Sequence, residues 1–270
     1  MNLRALNPPE DRSAVQPQAG LVVADDVVIR FGDVDAAGPI SFSVMSGEFI
    51  SLLGPSGCGK SSLLRAISGL IPIASGRLSI AGQPPGEAAA MRVGLMFQKP
   101  LLLPWRTTLQ NIVLPAEIAT GSSGAIDRSE RSQALELVRM VGLSEFADAY
   151  PHQLSGGMQQ RAALARTLMS DPDILLLDEP FGALDEFTRE ALNEKLLSIW
   201  KSGATRLKAV IMVTHSIPEA VAMSDRILVL SSRPARLLEV VPVRLSHPRD
   251  PADADFARIL GVTRAAARPS

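Results

Sequence analysis

A short apolar run, Phe49-Ile-Ser-Leu-Leu53, leads without a polar break into Gly54-Pro-Ser-Gly-Cys-Gly59, and a helical pattern follows from Lys60 to about Ile67. This one stretch restricts the fold more than any other part of the chain. An apolar run with no polar alternation is a strand buried on both faces. Such runs separated by helices specify a largely parallel sheet covered on both sides. Further runs of this kind are Val93 to Phe97, Ile174 to Leu177, Val210 to Val213 and Ile227 to Leu230. Upstream, Val22 to Arg30, Ile40 to Val44 and Arg77 to Ile80 have the character of antiparallel strands. The expected fold class is α/β, with a mostly parallel core sheet and an N-terminal antiparallel β subdomain.

The middle of the chain has a different texture. Asp127-Arg-Ser-Glu130 has capping-box spacing, with Asp127 as the cap. Ala134, Leu137, Val138 and Val141 then share one helical face, and Gly142 is placed to end that helix. Ser155 begins another helix, which runs to about Met169 and stops at Asp171-Pro172. Residues from about 99 to 170 therefore read as a mostly helical insert, with Gly121 to Gly124 as a loop inside it. Residues 1–20, with three prolines and no apolar stretch of signal-peptide length, read as a flexible leader. Ser231 to Ser270, with seven arginines against four acids, reads as a solvated surface segment, and residues 251–270 as a C-terminal tail.

Composition excludes several classes. The chain has 270 residues, 46% of them apolar, which is enough to bury a core and too apolar for wholesale disorder. Lys plus Arg number 27 against 28 for Asp plus Glu, so there is no basic excess for neutralising a duplex, and no nucleic-acid partner is expected. Cys58 is the single cysteine, which rules out an internal disulfide. Mean hydropathy is positive, at +0.17. Stretches free of charge are nevertheless short and, like Ala149 to Gln160, interrupted by polar residues; a spanning helix needs about 20 apolar ones.

Three motifs carry chemistry. Gly54 to Ser61 matches G-x-x-x-x-G-K-[ST] in the required context, after a strand and at the start of a helix. Its glycines, Gly54, Gly57 and Gly59, let successive N–H groups face inward. Pro55, Ser56, Cys58 and Ser62 complete the loop, Lys60 is suited to the β- and γ-phosphates, and Ser61 is suited to Mg²⁺. A thiol reagent is expected to inhibit through Cys58 unless ATP protects it. Ile174-Leu-Leu-Leu-Asp178-Glu179 is a buried strand ending in two carboxylates. Asp178 suits a metal-binding role, and Glu179 the role of general base toward an attacking water. Leu154-Ser155-Gly156-Gly157-Met158-Gln159-Gln160-Arg161 gives a capped helix start with free N–H groups, a second anion site. Two anion sites in one chain suggest that each serves a triphosphate shared across a dimer.

Taken together, these segments resemble the nucleotide-binding subunit of ATP-binding cassette (ABC) transporters. LSGGMQQR is similar to that family's signature motif, and GPSGCGKSS and ILLLDEP to its two Walker motifs, over about residues 21 to 250. The resemblance implies a P-loop ABC ATPase core using ATP and Mg²⁺. It implies that Gln98 touches the metal and the attacking water, that Ala183-Leu184-Asp185 communicates across a dimer, and that His215 contacts the γ-phosphate. Phe31 stands where the family places an aromatic against adenine. Ser216 follows His215 where many relatives carry Asp. Gln98-Lys-Pro-Leu-Leu-Leu-Pro-Trp105-Arg, Pro180-Phe-Gly-Ala-Leu-Asp185 and Leu230-Ser-Ser-Arg-Pro234 are similar to importer ATPases for nitrate, sulfonates and taurine. Trp105 and its apolar neighbours lie where that family receives a helix of the membrane subunit; alternatively they fill the core of the insert.

The resemblance further implies a homodimer of this subunit, with ATP between Lys60, Ser61, Gln98, Asp178, Glu179 and His215 of one copy and Ser155 and Gly157 of the other. It implies two integral membrane permease subunits, a periplasmic or lipid-anchored solute-binding protein, and a place on the cytoplasmic face of the bacterial inner membrane. The alternative is a soluble ABC ATPase outside transport.

Overall fold

The computed structural model describes residues 20–87, 91–121, 127–182, 184–203 and 205–268. Residues 1–19 of the expected leader, most of the Gly121–Gly124 loop and Ala183 lie outside them. Two sheets form. In the first, β1 (Val22–Phe31) pairs antiparallel with β2 (Val34–Val44) on one side and with β4 (Ser75–Ile80) on the other. The second has the order β5-β6-β7-β3-β8-β9, from β3 (Glu48–Leu53), β5 (Val93–Met96), β6 (Ile174–Asp178), β7 (Ala209–Thr214), β8 (Arg226–Leu230) and β9 (Leu237–Pro242). All its pairings are parallel except the edge pair β8–β9.

The apolar runs are fully buried because each face of the sheet meets a different core. Along β6, Ile174 and Leu176 face a cluster shared with the first sheet and α1 (Lys60–Ile67), whereas Leu175 and Leu177 face the helices. Along β7, Ile211 and Val213 face the first cluster, and Val210 and Met212 the second. Successive side chains alternate sides, so a strand covered on both faces keeps a polar side chain only where it finds a buried partner, as Ser51 of β3 does in Ser224.

Among the described residues, the regular elements between β5 and β6 are all helical: α2 (Thr108–Thr120), α3 (Arg128–Met140) and α4 (Gly156–Met169), with two short 3₁₀ turns. The Asp127–Glu130 capping box forms in both directions, and Gly142 adopts φ +68° just beyond the last turn of α3. After β6 come α5 (Glu186–Lys201) and, between β7 and β8, α6 (Ile217–Met223).

Two expectations are corrected. β2 begins at Val34, six residues before Ile40, because Val34, Asp35 and Ala37 pair with Phe31, Arg30 and Ile29 of β1. Gly38 (φ +113°) lies so close to β1 that a Cβ there would sit 2.3 Å from the Val27 carbonyl oxygen, a packing only glycine permits. Nor is 231–270 a solvated segment. β9 extends the main sheet, and α7 (Ala254–Ala266) buries Phe256, Ile259 and Thr263 against α6 and β8. Its apolar residues at helical spacing, Phe256, Ile259 and Leu260, together with Thr263, whose hydroxyl donates to the Ile259 carbonyl, outweigh the arginines, which stay on its outer side.

Candidate nucleotide site

The site is assembled by neighbouring parallel strands that end at one edge of the sheet. The phosphate loop leaves β3. Asp178 closes β6 and Glu179 follows it. His215 follows β7, and Gln98 lies two residues beyond β5. Register keeps these ends level: Leu53 pairs with Thr214, Asp178 with Val213, and Met96 with Leu177. Four elements distant in sequence are therefore brought to the carboxyl ends of adjacent strands, the usual ligand position in an open α/β sheet.

A cavity of about 190 Å³ opens over the loop. Gly57, Gly59, Lys60, Ser61 and Ser62 form its floor, and Phe31 and Glu179 its walls. Phe31 is half exposed, so it is a wall residue and not part of the core. Gly59 has φ +123°, and a Cβ there would lie 2.4 Å from the Ala36 carbonyl oxygen, so no side chain fits. The side chains of the site are held by one another. Lys60 is buried, and its Nζ donates to the carbonyls of Gly54 and Pro55, each at 2.7 Å. Ser61 Oγ donates to Asp178 Oδ1 at 2.6 Å. Gln98 Nε2 donates to Glu179 Oε2 at 3.0 Å, and His215 Nδ1 lies 3.4 Å from the same oxygen. Glu179 itself has φ +45°, an uncommon conformation for a residue with a side chain.

Burial pushes the Asp178 carboxyl above the usual carboxylate range, and the charge of Glu179 adds to the rise; Ser61, Arg65 and Lys60 oppose it. Oxygen donors here fit a hard divalent cation: Ser61 and Asp178 meet beside the phosphate loop. Among the described residues there is no group of three or more His, Cys, Asp or Glu able to hold a metal unaided. That donor set matches Mg²⁺, which binds one or two carboxylates together with substrate phosphates.

Other expected site residues lie elsewhere. The Cys58 side chain is 1% exposed and packs into the core beneath the loop, so the expected reaction with a thiol reagent is blocked by burial. Ser155 caps α4, accepting from the Met158 N–H at 3.3 Å, and is exposed with Gly156 on the helical insert. Gly157 adjoins Leu184 and Thr188. Asp185 caps α5, and the Thr188 N–H holds its carboxyl below the usual range. Ser216 caps α6. Ser and Asp are comparable caps, so the departure at 216 keeps the local helix start intact.

Two residues of the site escape sequence reading. Arg233 lines the cavity, brought there by the β8–β9 turn. Gln160, inside the signature stretch, donates through Nε2 to the Gln98 carbonyl at 2.8 Å and so ties α4 to the segment bearing Gln98. Neither contact has a local sequence signal, since each joins segments more than 60 residues apart or depends on how a turn folds back.

Fold and site together define a P-loop α/β nucleotide-binding domain. Residues 37–182 match the ABC transporter family. The chain is 47% identical over 210 residues to the taurine import ATP-binding protein TauB of Rhizobium johnstonii, covering 77% of each. It is 45% identical over 220 residues to an aliphatic sulfonates import ATP-binding protein of Pseudomonas syringae, covering 82% of this chain and 84% of that one. It superposes with a TM-score of 0.71, at 31% identity, on the dimeric post-hydrolysis structure of the ATP-binding cassette MJ0796 bound to ADP and Pi, covering 83% of this chain and all of that one. The chain belongs to the ABC transporter family.

Proposed function

We propose that this chain is the ATP-hydrolysing subunit of an import system for a small solute of the sulfonate, taurine or nitrate type. The observation that carries the reading is the convergence of the phosphate loop, Asp178–Glu179, Gln98 and His215 on adjacent strand ends. The similarity to import ATP-binding proteins supports the transport role.

In this reading the loop N–H groups and Lys60 bind the β- and γ-phosphates, and Phe31 packs on the adenine. Lys60 gives up its two carbonyl partners as phosphate enters. Ser61 and Asp178, with Gln98, would hold Mg²⁺, which would supply charge neutralisation for the phosphates. Glu179 takes a proton from the attacking water. Gln98 and His215, now both on Glu179 Oε2, orient that carboxylate and turn toward the phosphate when it is present. The α4 start, where Ser155 and Gly156 are exposed, is placed to receive the triphosphate of a second copy, so two chains form a head-to-tail dimer that ATP closes and hydrolysis releases.

The permease partner docks on the helical insert. Trp105 is 70% exposed and Leu101 54%; Ile118, 72% exposed, lines an open groove of about 410 Å³ with Phe97, Leu114 and Pro115. Trp105 therefore does not fill the insert core, and an apolar patch of this kind favours a partner over the alternative of a soluble non-transport ATPase. No helix among the described residues is long and apolar enough to cross a membrane. In this reading the membrane spans belong to separate permease chains, with this chain peripheral on the cytoplasmic face of the inner membrane and a solute-binding protein on the other side.

Glu179→Gln is expected to retain ATP binding and to lower turnover by roughly 10²- to 10⁴-fold. Near-normal turnover would refute the base assignment. Co-purification of the wild-type chain with a multi-spanning membrane protein is expected, and its loss in Trp105→Glu would support the docking face.

A further inference from the structure

The turn between β8 and β9 folds back onto the phosphate loop. Ala235 N donates to the Cys58 carbonyl at 3.1 Å and to the Ala36 carbonyl at 3.3 Å, and Gly38 N donates to the Ala235 carbonyl at 2.7 Å. The turn is also closed on itself. Ser231 N donates to the Arg236 carbonyl at 2.9 Å, Arg236 N donates to Ser231 Oγ at 2.9 Å, and Ser231 Oγ donates to the Pro234 carbonyl at 3.1 Å. A turn bonded on both sides holds its apex in a defined place, and that apex presents Arg233 to the cavity walled by Phe31 and Glu179.

Arg233 has no carboxylate within 4 Å among the described residues, whereas Arg30, Arg106, Arg226 and Arg258 each have one; its place in the cavity lining sets it apart from the other arginines without such a partner. It is an exposed, unpaired guanidinium at the mouth of a cavity whose floor is made of phosphate-binding groups. Of the other lining residues, Lys60 alone is cationic, and Glu179 is anionic. A triphosphate carries several negative charges, and guanidinium matches the geometry of phosphate oxygens in a bidentate fork.

We propose that Arg233 is a further nucleotide-binding residue, its guanidinium contacting the phosphate chain of bound ATP from the β8–β9 turn. This rests on the nucleotide-site reading above. The arrangement makes β9 and the preceding turn part of the site as well as of the sheet, so the loop and its extra cation are positioned by the same hydrogen bonds.

Equilibrium binding of ATP tests it, with wild type, Arg233→Ala, Arg233→Lys and Lys60→Ala measured at low and high salt without turnover. Arg233→Ala is expected to weaken ATP binding about 3- to 10-fold at low salt, as for a partly exposed charge-assisted contact. Arg233→Lys is expected to recover part of the loss, and the deficit to shrink at high salt. Unchanged affinity in Arg233→Ala, where Lys60→Ala weakens binding, would overturn the proposal and leave the site reading standing. A loss in Arg233→Ala that is insensitive to salt and not recovered by Lys would also overturn it, showing a brace and no charge contact. Unchanged affinity in Lys60→Ala would overturn the site reading and the proposal with it.

Discussion

Asp178 and Glu179 are neighbours in sequence with opposite environments. Asp178 closes a strand inside the sheet, and burial raises its pKa. Glu179 steps out of the strand at positive φ and meets Gln98 and His215. For Asp178 the sign of the linkage is unfavourable. A carboxyl whose folded pKa lies above its unfolded value favours the fold at low pH and loses that contribution as pH rises from the unfolded pKa through the folded one. At neutral pH the buried charge therefore opposes folding of the nucleotide-free chain. Asp178→Asn keeps an acceptor for Ser61 and is expected to raise the melting temperature at pH 7. Thermal scans should show the gain vanish below about pH 4, where the wild-type carboxyl is protonated in both states. A lower melting temperature at pH 7 would contradict this account. Cys58 gives a second test at this scale. Its thiol should resist a reagent in the native chain with or without ATP and react fully once denaturant is added; fast native labelling would contradict its burial.

At the scale of elements, α2 shows how one buried side chain sets the course of a loop. Asn111 is fully buried. Its Oδ1 accepts from Leu103 N at 2.7 Å, and its Nδ2 donates to the carbonyls of Leu103, Arg106 and Thr107 at 3.0–3.1 Å. The segment 103–107 is thereby wrapped over the start of α2, with Trp105 directed outward. Asn111→Ala would leave the Leu103 N–H and the Arg106 carbonyl without these partners, while the Leu103 and Thr107 carbonyls keep backbone bonds from Arg106 N and Asn111 N. An expected loss of about 1–3 kcal/mol in chemical denaturation follows, with greater exposure of 103–107 to proteolysis. Arg166 reinforces the same region through the carbonyls of Pro100 and Leu101, at 2.7 and 2.8 Å. The helix periods and caps of α3 and α4 are legible in the sequence because each is local. The role of Asn111 is not, since a polar residue in a helix pattern reads as exposed unless the loop that covers it is known.

For the whole molecule, the C-terminal region decides how the sheet ends. β9 closes the edge beside β8, and α7 packs Phe256 and Ile259 with Val229, Val241 and Val243. Phe256→Ala is expected to cost about 3–5 kcal/mol, as for truncation of a buried aromatic, measured by equilibrium unfolding. A surface tail would give a change within about 0.5 kcal/mol, so the measurement separates the packed helix from the solvated segment that charge content suggests.

The sequence by itself determined the strands buried on both faces, the helix caps, the phosphate loop and the paired carboxylates that end β6. These depend on periodicity, on short-range hydrogen bonds and on glycine positions, all of which are readable along the chain. Tertiary structure alone decided that Glu179, Gln98 and His215 share one carboxylate oxygen, that Arg233 reaches the cavity, that Cys58 faces inward, and that α7 belongs to the core. Those facts depend on strand order, since β3, β5, β6 and β7 become neighbours only through long crossovers, and no local preference encodes which strand lies beside which.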